Sequence, residues 1–135
     1  MLQRATHARR PVPLPYISRM ASFSSTDFDI PPERVKELVE SGEAQLVDVR
    51  EEYEWDAGRI AGAVHIELER LPGRAAEIDK DRPVVFQCRM GRRSAFAVEA
   101  FRNGGYDAYN MTGGIEAWAA AGLPLEPENG TVADH

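Results

Sequence analysis

Pro83-Val84-Val85-Phe86-Gln87-Cys88-Arg89-Met90-Gly91-Arg92-Arg93-Ser94 carries an apolar run into a polar loop, and its reading decides the fold. Residues 83–87 predict a buried strand. Ser94 to Asn103, closed by Gly104-Gly105, predicts a helix with Ala97, Val98 and Phe101 toward the core. Cys88 then falls between a strand end and a helix start, where backbone N–H groups lack partners and the helix dipole is positive. Both effects favour an anion, and a thiolate is an anion. Arg89, Arg92 and Arg93 concentrate positive charge in a chain of net charge −6, and Cys88 is its only cysteine. The stretch predicts an activated nucleophile.

Outward from it, short strands alternate with helices. Phe28-Asp29-Ile30 reads as a short edge strand, and Pro31-Pro32 opens a helix that Ser41-Gly42 ends. Gln45 to Val49, interrupted only by Asp48, suits a strand covered on both faces. Glu51 to Asp56 reads as one or two helical turns, with Glu51, Glu52 and Glu54 as a solvated face. A short strand is expected around Val64, and a helix from Leu68 to Ile78 with a break near Pro72-Gly73. Tyr106 to Asn110 reads as a last strand, and Ile115 to Ala121 as a final helix. Trp55 and Trp118 are expected in the core. This alternation implies a parallel sheet with helices on both faces, where ligands sit at the carboxyl ends of strands.

The 135 residues suit one domain over residues 27–125, with a polar tail at 126–135. Residues 1–26 hold four arginines and no acid, with prolines at 11, 13 and 15 and the run Ser22-Phe-Ser-Ser25. That composition reads as a disordered tail, a transit peptide, or an extension ahead of a start at Met20. The acidic remainder argues against nucleic-acid binding, and no apolar run approaches a membrane span. A lone working thiol fits a reducing compartment: the cytoplasm, or a mitochondrion or plastid if residues 1–26 are a transit peptide. No zinc-like ligand spacing is present, and neither metal nor cofactor is expected.

Four blocks, in order, carry a family resemblance: Leu46-Val-Asp-Val-Arg-Glu51, Glu54-Trp-Asp-Ala-Gly-Arg-Ile-Ala-Gly-Ala-Val-His-Ile66, Cys88 to Ser94, and Gly113-Gly-Ile-Glu-Ala-Trp118. With them, residues 27–125 resemble a single-domain rhodanese, a sulfurtransferase that carries sulfur as a cysteine persulfide. Arg59 departs from the pattern, standing where the family most often has histidine. The resemblance implies a three-layer α/β fold with a five-stranded parallel sheet. It implies a persulfide on catalytic Cys88, cradled by main-chain N–H groups of residues 89–93. It further implies thiosulfate-like donors and thiophilic acceptors such as cyanide, a thiol or a partner protein's cysteine.

The residues suit that chemistry. Sulfite leaves as a stable anion, so no general acid is required beside the thiolate. Arg89, Met90, Gly91, Arg92 and Arg93 are the candidate substrate-binding residues, with forked donors from the arginines, a turn at Gly91 and an apolar lip at Met90. Asp48, Arg50 and Ser94 are the candidate supports, and His65 reads as a hydrogen-bonded core histidine. A cysteine phosphatase or arsenate reductase is the enzymatic rival. Its loop places histidine before the cysteine and arginine after five residues, whereas here Gln87 and Ser94 hold those positions. A persulfide relay or binding module for a partner protein, without small-molecule turnover, is the other alternative.

Overall fold

The computed structural model describes residues 28–135, so the expectations for residues 1–26 lie outside the described residues. In chain order come β1 (Asp29–Ile30), α1 (Pro32–Glu40), β2 (Gln45–Asp48), α2 (Glu52–Ala57) and β3 (Val64–His65). Then follow α3 (Leu71–Arg74) between two 3-10 turns, β4 (Val84–Gln87), α4 (Arg92–Asn103), β5 (Ala108–Met111) and α5 (Gly114–Ala120). The five strands form one parallel sheet in the order β1-β5-β4-β2-β3.

Alternation along the inner strands builds two cores. Leu46, Val85, Tyr109 and Met111 face one side and pack with Val35 and Leu38 of α1 and Ile115 and Trp118 of α5. Val47, Val84, Phe86 and Ala108 face the other and pack with Ala97, Val98 and Phe101 of α4 and with Leu71. Side chains two apart on a strand share a face, so consecutive apolar residues cover both sides. This places β4 in the centre of the sheet and its carboxyl end among the most enclosed points of the molecule.

Several expectations shift. The helix expected from Ser94 begins at Arg92, so Arg92 and Arg93 lie in its first turn. The break expected near Pro72-Gly73 falls elsewhere: both residues lie within α3, where proline occupies the first turn without losing a bond, and 3-10 turns flank it. Trp118 is buried, but Trp55 is only half-buried. Its indole stacks on His65 (centroids 4.8 Å apart, planes within 9°), beneath the edge strand β3. Residues 126–135, polar in composition, pack back on α2. Arg59 and Glu126 exchange two backbone bonds (2.8 and 2.7 Å), and Thr131 N–H donates to the Ala57 carbonyl at 2.8 Å.

Candidate active site

β4 ends at Gln87 and α4 starts at Arg92, leaving Cys88 to Gly91 to turn the chain. Gly91, with φ of +102°, is the N-cap residue of α4; lacking a side chain, it leaves the first-turn N–H groups uncapped. Two donors instead meet the sulfur: Gly91 N–H at 3.2 Å and Ser94 N–H at 3.4 Å from Cys88 Sγ. The Ser94 hydroxyl oxygen lies 3.4 Å from the same atom. Cys88 is buried, at 1 % exposure, yet its sulfur rests on main-chain donors rather than in hydrocarbon alone.

The loop is clamped from two sides. The first-turn amides of α5 donate to it, Ile115 N–H to the Cys88 carbonyl at 2.8 Å and Glu116 N–H to the Arg89 carbonyl at 3.0 Å. On the other side, Asn110, the third residue of β5, donates through Nδ2 to the Gly91 carbonyl at 3.2 Å and accepts the Ser94 hydroxyl through Oδ1 at 2.6 Å.

The three arginines separate. Arg93 donates both terminal nitrogens to the carboxylate of Glu54, at 2.9 Å each. Glu54 is fully buried, which corrects its reading as part of a solvated face. It sits at the third position of α2, where its carboxylate also accepts the Glu51 N–H at 2.9 Å in a capping box. Burial works to raise its pKa, but the Arg93 hydrogen bonds, the bond from Glu51 and the charges of Arg93 and His135 together hold it below the ordinary value. Arg93 in turn is held charged: the Glu54 hydrogen bonds raise its pKa, and the charge of Cys88 adds to them. Arg89 reaches sideways to Glu116 (3.1 Å) and Asp134 (3.3 Å). Arg92 is exposed and has no carboxylate partner among the described residues. Met90 stands 53 % exposed on the rim.

Asp48 and Arg50 sit at the end of the neighbouring strand β2, both fully buried, joined at 2.7 to 3.1 Å through Nε and Nη2. Arg50 also donates to the Gly58 carbonyl at 2.8 Å, and its own carbonyl meets His65 Nε2 at 2.7 Å. This pair ties β2, β3 and α2 together beside the loop without contacting the sulfur. Glu54 and Asn110 are the residues that motif reading passes over. A glutamate three positions after an N-cap candidate is a signal for the first. A polar side chain among the buried residues of an inner strand is a signal for the second, since such a group needs a buried partner. No group of three or more acidic, histidine or cysteine side chains able to hold a metal occurs among the described residues.

A buried cysteine on a glycine-turned loop, at the carboxyl end of the central strand of a five-stranded parallel sheet, defines the class: an α/β protein of rhodanese fold. The model of the rhodanese-like domain family matches residues 31–121, and the chain belongs to that family. A sulfurtransferase of Allochromatium vinosum is 39 % identical over 94 residues, covering 69 % of this chain and 88 % of the relative. The thiosulfate sulfurtransferase GlpE of Pseudomonas aeruginosa is 35 % identical over 109 residues, covering 80 % and 97 %. Among solved structures, a rhodanese-related protein of Thermoplasma volcanium superposes with a TM-score of 0.67 at 29 % identity, covering 72 % of this chain and 95 % of its own. No helix among the described residues is long and apolar enough to cross a membrane.

Proposed function

We propose that the protein transfers sulfane sulfur from thiosulfate or a related donor to a thiophilic acceptor through a persulfide on Cys88. The observation that carries this reading is the convergence of the Gly91 and Ser94 N–H groups on Cys88 Sγ, to which no histidine or carboxylate among the described residues is hydrogen-bonded. Once the thiol has released its proton to water, the thiolate attacks the outer sulfur of thiosulfate. A Cys88 S–S bond forms, the thiosulfate S–S bond breaks, and its electron pair leaves with sulfite. An acceptor such as cyanide then attacks the terminal sulfur, leaving as thiocyanate and returning the thiolate. Donors fixed before reaction stabilise the sulfur's negative charge without reorganising. Arg93, held by Glu54, contributes charge rather than a free hydrogen-bonding fork, and Arg92 is the cation open to incoming anions. Asp48, Arg50 and Ser94 act as supports. A working thiol of this kind belongs in a reducing compartment such as the cytoplasm.

The intact mass after incubation with thiosulfate is expected to rise by one sulfur atom in the wild type and not in Cys88→Ser. Sulfite release with cyanide as acceptor is expected to stop in the same variant. An unchanged wild-type mass would overturn the persulfide.

A second reading, delivery of the sulfur to a protein cysteine, is favoured by the rim. Met90 is 53 % and Phe96 69 % exposed, and Phe96 lies one helical turn beyond Arg92 on the same face of α4. Apolar groups beside an open cation suit a partner surface better than a small anion alone. Persulfide loading without turnover to cyanide would support the relay.

A further inference from the structure

The hydroxyl of Ser94 has one proton, and the geometry around Asn110 commits it. The Asn110 Nδ2 group lies against two acceptors, the Gly91 carbonyl at 3.2 Å and Asp29 Oδ1 at 3.4 Å. This end of the amide must therefore be the donor, which makes Oδ1 the acceptor facing Ser94 at 2.6 Å. With its proton spent there, Ser94 turns a lone pair toward Cys88 Sγ, 3.4 Å away. A thiol is satisfied by that arrangement, because S–H donates to the Ser94 oxygen. A thiolate is not, because two electron-rich atoms then face each other. To stabilise the thiolate, the hydroxyl must swing to the sulfur and leave the Asn110 oxygen, in a residue 9 % exposed, without its donor.

We infer that Asn110, acting through Ser94, is a positioning residue that restrains ionisation of Cys88 against the two amides that favour it. The inference rests on Cys88 being the nucleophile proposed above. The sulfur thus sits between opposed groups, with Gly91 and Ser94 N–H drawing it toward the anion and the Ser94 lone pair holding the proton on. Such a balance has a chemical use. A thiolate stabilised too far is a weaker nucleophile, and one ionised at all times is open to oxidation. The charged groups on the elements packed about the loop are Arg92 and Arg93 on α4, Glu54 on α2, Asp48 at the end of β2 with Arg50 just beyond it, Asp29 on β1, Arg89 on the loop, Glu116 on α5, and Asp134 and His135 in the C-terminal tail. None of them is altered in the variants below.

The test is iodoacetamide alkylation of the full chain, taken as the ratio of the rate at pH 7 to that at pH 10. The ratio divides out accessibility and reads the thiolate fraction whether or not sulfur is ever transferred. It can therefore fail while persulfide loading succeeds, and the reverse. Asn110→Leu removes the acceptor, frees the Ser94 hydroxyl for the sulfur, and is expected to raise the ratio by about five- to tenfold, the net scale of one ordinary hydrogen bond. In a Ser94→Ala background the same change is expected to have no effect on the ratio. If Asn110→Leu does not fold, by circular dichroism, Asn110→Ser takes its place, since its hydroxyl ends one bond short of the Asn110 oxygen. A ratio that falls or stays constant overturns the inference, including the case where the hydroxyl turns to the Gly91 carbonyl instead. So does a rise that persists without Ser94, or a wild-type ratio already near one.

Discussion

Two helices of this fold begin in the same way and spend their first turns differently. α4 and α5 each follow an inner strand, each starts from a glycine in the left-handed region (Gly91 at +102°, Gly113 at +73°), and neither has a capping side chain. At α5 the freed amides of Ile115 and Glu116 go to the carbonyls of Cys88 and Arg89. At α4 the Gly91 and Ser94 amides go to the cysteine sulfur. One helix start thus holds the backbone of the loop, and the other faces the sulfur from inside it. Donors aimed at the proposed nucleophile need a rigid seat, and α5 provides it with main-chain bonds that leave the sulfur's side of the loop untouched.

The comparison breaks most visibly at the glycines. A Cβ at Gly114 would lie 2.3 Å from the Cys88 carbonyl oxygen and 2.4 Å from that of Arg89, both backbone atoms that cannot step aside. A Cβ at Gly91 would meet nothing nearer than Asn110 Nδ2 at 3.6 Å, an ordinary contact. Gly114→Ala is therefore expected to cost about 3–5 kcal/mol in urea unfolding, left-handed strain and overpacking combined, and to abolish persulfide loading. Gly91→Ala carries the backbone strain alone, about 1–2 kcal/mol. Equal losses in the two variants would show that the clamp and the cradle are not the separate devices their geometry describes.

Glu54 is the counterpart of α5 on the far side of the loop, fastening α4 to α2 through a side chain instead of an amide. Glu54→Gln keeps the shape and removes the charge, leaving Arg93 without its ionic partner. A loss of about 2–3 kcal/mol is expected, below the usual cost of breaking a fully buried pair because Arg93 retains some contact with water. The sign of the pH dependence follows from the lowered carboxyl pKa. Stability from ionised Glu54 is fully present above its ordinary value of 4.5 and is lost as the pH falls through the lower folded value. The gap between wild type and variant should thus narrow below about pH 4.5. A gap that held constant down to pH 2 would assign the loss to packing.

The parts of this design differ in how openly the sequence states them. The strands were legible because consecutive apolar residues such as Val84-Val85-Phe86 have few other uses in a short run. The cysteine loop was legible because a lone thiol beside three arginines runs against an acidic background. Glu54 was not, since Glu-Glu-Tyr-Glu carries the composition of a solvated turn, and only the third dimension brings Arg93 from 39 residues away to neutralise it. Asn110 was hidden for a similar reason: its partners Ser94 and Gly91 lie on another element, and one polar residue in a short strand covered on both faces breaks no period. α4 starts two residues before its apolar pattern does, because polar arginines mask a helix that begins on an uncapped glycine. Local pattern fixes elements, whereas the groups that tension a site are paired across them.

Arg92 makes the finest distinction between the two helix starts, because it puts a positive side chain at the mouth of α4 where the first turn of α5 carries the acid Glu116. It is exposed and unpaired among the described residues, so Arg92→Glu is expected to change stability by no more than about 0.5 kcal/mol. An acid in a first turn even gains slightly from the helix dipole. Loading by thiosulfate, a dianion, should nevertheless slow several-fold at low ionic strength. The difference should fade as added salt shortens the screening length toward about 3 Å at 1 M. Arg93→Glu is a poor probe of the same point, since it would set a second carboxylate against buried Glu54 and disturb the fold. If Arg92→Glu loads at the wild-type rate in low salt, the anion is recruited by main-chain donors alone, and the start of α4 differs from that of α5 only in what its amides face.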